Sequence, residues 1–395
     1  MMETFNGWTG TQLTEGTRAG RFHAHAYYDI PVFDADSRLV AGHQVGFAER
    51  QPTPNDAIEI GYVDTEGDRA WTPVGESRAW SWQQGAMTQW VPGGRTLVWN
   101  DREGDGFVAR TLDLDTGQDR TLPRPVYAVD PTGQFALSLN MARLDHVRPG
   151  YGYPGGAGAR LDQRRPADDG VWRMDLETGD SRLVLSLRDA ARLVAPLLSP
   201  KERLKHFIRR YVYWFNHVKM SPDGRRFTVK FRFRPRDFSR WKWNGRMGMS
   251  LTCGVDGSDL RLLSWATSHV IWLDDERLYL WNEADRELAL YRDAPSGGQR
   301  VERMAPGLVD YNVHMRHFPE TTDRFVFDTP YREEVDVFAY DASSGEQEQV
   351  ARFQNHRPTS GAFRCDLHPN PSPDGEKVVV TSLDDGGRQM YLLTR

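Results

Sequence analysis

The sequence predicts an all-β fold, a seven-bladed β-propeller of four-stranded antiparallel blades. Three observations carry this: one turn recurs seven times, a second family of turns lies between its copies, and a histidine stands at one fixed offset before four of the first turns. The clearest first turns are Ser221-Pro222-Asp223-Gly224 and Ser372-Pro373-Asp374-Gly375, each flanked by strand-like runs. Proline presets φ at the second turn position and Asp-Gly supplies the open geometry that a chain reversal needs. Weaker copies occupy residues 34–37, 91–94, 130–133, 273–276 and 319–323.

The second family comprises Asp64-Thr65-Glu66-Gly67, Asp115-Thr116-Gly117, Glu177-Thr178-Gly179, Val255-Asp256-Gly257 and Ser343-Ser344-Gly345. Each follows a short alternating run and reads as a later hairpin of the same unit. Two hairpins per unit, repeated at roughly forty to sixty residues, give four-stranded blades. The longest interval, about residues 144–215, is expected to be a partly helical insertion between blades three and four. Its first part is rich in Gly, Arg and Tyr (148–156); its second has helical spacing in Leu187, Ala191, Val194, Leu197, Leu204 and Ile208, broken by Pro196 and Pro200. The last unit has room for three strands before Arg395, so its fourth is expected from the N-terminal region near residues 11–18. A single propeller domain over residues 1–395 follows.

Composition narrows the function classes. The formal net charge is -5 and Lys and Arg form no basic stripe, which argues against nucleic acid. The alternation Phe231-Arg232-Phe233-Arg234 reads as a half-exposed strand. Cys253 and Cys365 are too few for a disulfide framework and lack zinc spacing. No apolar run approaches a membrane span and the first residues do not read as a signal peptide, so a cytoplasmic location without membrane contact is expected.

His217, His269, His314 and His368 each stand six residues before the acidic residue of a first turn: Asp223, Asp275, Glu320 and Asp374. Histidine fills 11 of 395 positions, so about 0.2 would fall in seven such slots by chance, against four found. Equal register in blades four to seven is expected to set the four imidazoles at one depth, at the channel mouth about 20 Å from the turns. A histidine ahead of a blade can also be a structural post, but the Trp-Asp dipeptide that accompanies such posts is absent. Blade one adds His23, His25, Tyr27 and Tyr28, with period two placing Tyr28 opposite the other three. Gln83 and Gln84 come from blade two, Tyr127 from blade three, and Arg143, His146, Arg148, Tyr151 and Tyr153 from the insertion. Aromatic faces stack on sugar rings, amides fix hydroxyls and a guanidinium grips a carboxylate, so an acidic oligosaccharide is the expected partner, with His25, Gln83, Gln84, Arg143, Arg148 and Tyr127 as substrate-binding residues.

From Phe215 onward the sequence resembles the oligogalacturonate lyases, seven-bladed propellers that cleave uronate oligomers by β-elimination with a divalent metal held by three histidines and a glutamine. The resemblance lies mainly in blades four to seven. It implies that Arg246, in Gly245-Arg246-Met247, matches the arginine proposed as that family's base, that His269 matches its substrate-side histidine, and that His314 and His368 match two metal-binding histidines. The third histidine falls on Asn370 and the glutamine on Cys365, so Asp366 is expected to compensate as a ligand for a manganese or calcium ion. The His, Tyr and Arg content of blades one to three is similar to that of the ulvan and rhamnose-glucuronate lyases.

β-Elimination requires a group that neutralises the uronate carboxylate, a base for the C5 proton and an acid for O4. A guanidinium almost never gives up its proton, whereas imidazole titrates near working pH. His217 or His269 is therefore expected as base, Arg246 on the carboxylate, and Tyr28 or Tyr151 as acid. Two alternatives remain open. One is a non-catalytic carbohydrate- or protein-binding propeller; the other is a glycoside hydrolase or lactonase, for which carboxylates beyond Asp29 and Asp366 are scarce.

Overall fold

The computed structural model describes residues 2–236, 248–319 and 321–395. Among these residues the strands form seven antiparallel sheets, and the fold is a seven-bladed β-propeller with three short α-helices. The chain groups into two compact units, one of Met1–Pro125, Tyr153–Gly155 and Val313–Arg395, the other of Val126–Gly152 and Gly156–Asn312.

The first unit holds blades one, two, six and seven. Blade one is Phe22–Ala24, Leu39–Val45, Ile58–Asp64 and Trp71–Ser77; blade two begins at Gln89–Val91 and ends at Asp119–Leu122. Blade six runs through Met315–His317, Arg324–Asp328, Val335–Asp341 and Gln347–Phe353, and takes a fifth short strand, Glu3–Thr4, on its outer edge. Blade seven consists of Asn370–Pro371, Lys377–Ser382 and Gln389–Thr394, completed by Thr9–Gln12. Thr9 pairs with Thr394 and Gln12 with Tyr391, so the closing strand starts two residues earlier than the expected 11–18. Val335, Val337, Val350, Phe353, Val378, Val380, Tyr391 and Leu393 form one buried cluster shared by blades six and seven. Each such side chain contributes roughly 1.5–3 kcal/mol when fully buried.

The second unit holds blades three, four and five. The interval expected to be one insertion is split by two strands of blade three. The helix Met141–Val147 and the Gly-, Arg- and Tyr-rich stretch lie between Phe135–Ser138 and Gly170–Asp175, inside that blade. The helices Leu187–Val194 and Pro200–Ile208 follow its last strand, Ser181–Ser186, and lead into blade four. Ser199 caps the second of them in a reciprocal capping box with Glu202.

The turns explain the repeat. Ser221 donates its hydroxyl to Asp223 and accepts from the Arg226 N–H; Ser372 does the same with Asp374 and Lys377. Gly224 and Gly375 have φ of 69° and 75°, where a Cβ is strained. In the second family an aspartate side chain accepts two successive N–H groups: Asp64 from Glu66 and Gly67, Asp113 from Asp115 and Thr116, Asp175 from Glu177 and Thr178, and Asp341 from Ser343 and Ser344.

Candidate functional site

In the first unit His314 immediately precedes the first strand of blade six, and Asp328 ends the strand beside it. The Asp328 carboxylate accepts the backbone N–H of His314 at 3.0 Å and lies 3.0 and 3.1 Å from its Nδ1. It also accepts the backbone N–H of His368 at 3.4 Å, so one fully buried carboxylate holds two blades' histidines. His368 has φ of 50°, uncommon for a residue with a Cβ and a sign that its surroundings impose the conformation. The rings of His314 and His368 meet edge to face, with centroids 4.5 Å apart.

Asp366 stands two residues before His368, with Oδ2 3.9 Å from Nε2 of each histidine. Arg364 donates to the same oxygen at 2.8 Å. One ligand atom from each of His314, Asp366 and His368 lies within 4.8 Å of the other two. Donors about 2.1–2.4 Å from a shared divalent ion stand roughly 3–4.8 Å apart, so these three residues fit such an ion. Nε2 of His368 is buried with no hydrogen-bond partner among the described residues, as an imidazole awaiting an ion would be. Burial, then the nearby charges of His314 and His25, hold its pKa well below the usual value, which keeps the ring in the neutral form that ligation requires. His314 differs: burial disfavours its charge, but the Asp328 and Asp366 carboxylates outweigh burial and raise its pKa. Asp328 does for His314 what outer carboxylates do for metal-bound histidines, fixing the ring through Nδ1.

Asn370 and Cys365 are not available to an ion. Asn370 donates to the Ile30 carbonyl and accepts from Arg316, and burial pushes the Cys365 thiol up to about 11. Tyr27 and Tyr28 both contact the two histidines, with Tyr27 4.6 Å from His368 and Tyr28 5.3 Å from His314 between centroids. Period two separated these tyrosines onto opposite faces. The strand ends at Ala24, so alternation does not reach them. His25 is buried, its Nδ1 2.8 Å from the Ala26 carbonyl, and burial lowers its pKa to about 4.

In the second unit His217 sits at a bulge in Val212–Met220, with φ of 53°. Bulges re-aim side chains. The His217 N–H donates to the Tyr127 hydroxyl at 3.0 Å, and the Tyr151 ring meets the imidazole edge to face at 5.6 Å. Arg148 lies over the Tyr151 ring at 4.0 Å. Burial, then the charges of Lys230, Arg148, Lys219 and Arg232, keep His217 neutral. His269 is buried in Thr267–Trp272, where the pairing with blade five's second strand is irregular. Arg246 and Glu320 lie outside the described residues.

Two expectations need correction. Arg143 does not face a substrate: its Nε donates to Tyr213, one terminal nitrogen to Ala159 and Arg160, and the other to Gln163 and Arg164, all backbone carbonyls. All five donors of the guanidinium are thus engaged, which makes Arg143 a strut that orders the loop. Gln83 donates its amide nitrogen to the carbonyls of Ala362 and Arg364, which fixes its orientation, while the Oε1 atoms of Gln83 and Gln84 are buried with no hydrogen-bond partner among the described residues. The Phe-Arg alternation is not half-exposed; Phe231, Arg232, Phe233 and Arg234 are all buried. Asp328, Arg364 and Lys230 were not singled out from sequence. Asp328 had one signal, a charge closing the apolar run Phe325-Val326-Phe327 of the strand Arg324–Asp328.

No family model and no curated protein sequence matches the chain. Solved structures do. An oligogalacturonate lyase in complex with manganese superposes with a TM-score of 0.63 at 15% identity, covering 100% of this chain and 96% of its own. This chain has an oligogalacturonate lyase-like fold. A second oligogalacturonate lyase, from Vibrio parahaemolyticus, gives 0.61 at 13% identity over 100% and 96% of the two chains. The tricorn protease gives 0.51 at 11% identity, covering 99% of this chain but 34% of that one.

Proposed function

We propose that the protein is a carbon–oxygen lyase that cleaves uronic-acid-containing oligosaccharide by β-elimination. The observation that carries this reading is the buried His314–Asp366–His368 set, with Asp328 fixing both histidines. The fold shared with lyases, one of them solved with manganese, supports it. His314, Asp366 and His368 would hold a divalent cation, manganese or calcium, which would supply positive charge to the substrate carboxylate and so make the C5 hydrogen more acidic. Asp328 keeps His314 oriented, and Arg364 holds Asp366 in place.

Tyr28, packed on His314, is the proton donor assigned to O4 in the first unit. In the second unit His217, neutral and bonded to Tyr127, is suited to accept a proton, with Tyr151 and Arg148 beside it. His269 is the other candidate base, and Arg246 is assigned to the carboxylate.

The test is a panel of uronate oligosaccharides followed by ultraviolet absorbance of the unsaturated product, with and without a chelator. Product formation that the chelator abolishes and added manganese or calcium restores is the expected outcome. Absence of unsaturated product on every acidic glycan, with the metal loaded, would overturn the proposal.

A further inference from the structure

Alternation along two strands of blade four, Val212–Met220 and Arg226–Arg234, sorts its side chains into unlike faces. Tyr213 and Phe215 pack with Phe231 and Phe233, with Tyr213 stacked on Phe231 at 5.5 Å. The alternate positions make the other face, where Asn216 stands directly opposite Lys230 in the pairing and Trp214 opposite Arg232. Side chains directly opposite each other start only about 5 Å apart at Cβ, so the Asn216 amide and the Lys230 ammonium share one space.

That space is rich in donors. Asn216 is fully buried, and its Oδ1 accepts Nε of Arg232 at 3.2 Å. This aims Nδ2 the other way, where it is buried with no acceptor among the described residues. Lys230 is also buried and donates to the Thr267 carbonyl at 2.8 Å, and its amino nitrogen carries further N–H groups in either protonation state. Groups of this kind are costly to bury without an acceptor, and more so when one carries charge.

We propose that this face of blade four is a carboxylate-binding site, with Asn216 Nδ2 and Lys230 Nζ as its donors. The ligand class is a small carboxylate, either that of a sugar acid or a free one. The electrostatics agree: burial, followed by the positive charges of Arg232, Arg148 and Lys219, depresses the Lys230 pKa well below its usual value, and Glu283 opposes them. His217, held neutral by burial and then by the charges around it, adds no charge of its own. An arriving carboxylate reverses that balance, so binding draws a proton onto Lys230. The site stands on blade four alone and does not require the lyase reading, because it is read by binding rather than turnover.

The experiment is titration calorimetry of the full chain with galacturonate, acetate and galactose, in two buffers of different ionisation enthalpy. Galacturonate or acetate is expected to bind with proton uptake, and galactose not to bind. Galacturonate binding tighter than acetate assigns the site to a sugar acid; equal affinities assign it to free carboxylates. Lys230→Met is expected to weaken binding about tenfold or more and to abolish the proton uptake. Asn216→Asp places a carboxylate beside the ammonium, so it is expected to block binding while raising the melting temperature; it also serves as the second variant should Lys230→Met fold poorly. Carboxylate affinity unchanged in both folded variants, or no carboxylate binding to the parent protein, overturns the inference.

Discussion

Replacing Asp328 by asparagine tests how the two histidines of blades six and seven are held. The side chain keeps its size and loses its charge and one acceptor oxygen. The native carboxylate serves three donors, the N–H and Nδ1 of His314 and the N–H of His368. An amide has one acceptor oxygen, so at least one buried N–H must face an NH2 group, at a cost of roughly 1–3 kcal/mol in stability. Loss of the outer carboxylate also frees the His314 ring to rotate. Such losses weaken metal binding about 10–100-fold, which is about 1.4–2.7 kcal/mol. Manganese affinity is measured from the paramagnetic resonance signal of the unbound ion, and stability from thermal unfolding of the metal-free protein. Asp328→Asn that binds manganese as tightly as the parent protein, while remaining folded, would refute the assignment of His314 as an oriented ligand.

Other perturbations have equally definite outcomes. His43 is buried, and desolvation followed by the Arg388 charge lowers its pKa to about 3. The unfolded chain takes up a proton below about 6.5 while the folded one does not, so this stability is complete above pH 6.5 and lost as pH falls towards 3, at about 1.4 kcal/mol per pH unit. Melting temperatures measured between pH 7 and 4 should fall, and His43→Gln should flatten the slope; a slope that His43→Gln leaves unchanged would contradict the assignment. Arg143→Met leaves five backbone carbonyls without their donor and is expected to cost several kcal/mol, with Arg143→Lys recovering little, as denaturant unfolding would register. Deleting residues 2–12 removes the strands on blades six and seven and is expected to lower the melting temperature and expose the Gln389–Thr394 edge to self-association, visible in size-exclusion chromatography. A deletion that stays monomeric with the parent's melting temperature would count against closure by these strands.

Much of the architecture was legible because turn chemistry is local. Ser-Pro-Asp-Gly and Asp-x-x-Thr-Gly satisfy their own backbone within a few residues, so they read the same way before and after folding. The strand of blade seven contributed from the N-terminal region followed from counting strands. Blade three was misread because its third and fourth strands, Gly170–Asp175 and Ser181–Ser186, are separated from the first two by a helix and a long loop, and nothing local ties them together. At the site, His314 and His368 stood out because register repeats between blades, and Asp366 entered only through the resemblance to the oligogalacturonate lyases. Asp328 was not, since its role depends on a cross-strand neighbour fourteen positions from His314. Arg143 was misassigned for a related reason: sequence shows a guanidinium but not the five carbonyls that surround it.

The pairing of Thr9–Gln12 with Gln389–Thr394 also sets a schedule for biosynthesis. Synthesis delivers the N-terminal strand first and its partner last. The early segment must therefore wait, extended and unmatched, while every blade emerges behind it. A chain released before residue 389 leaves that segment with no partner, so an incomplete product keeps a loose end that chaperones and proteases can grasp.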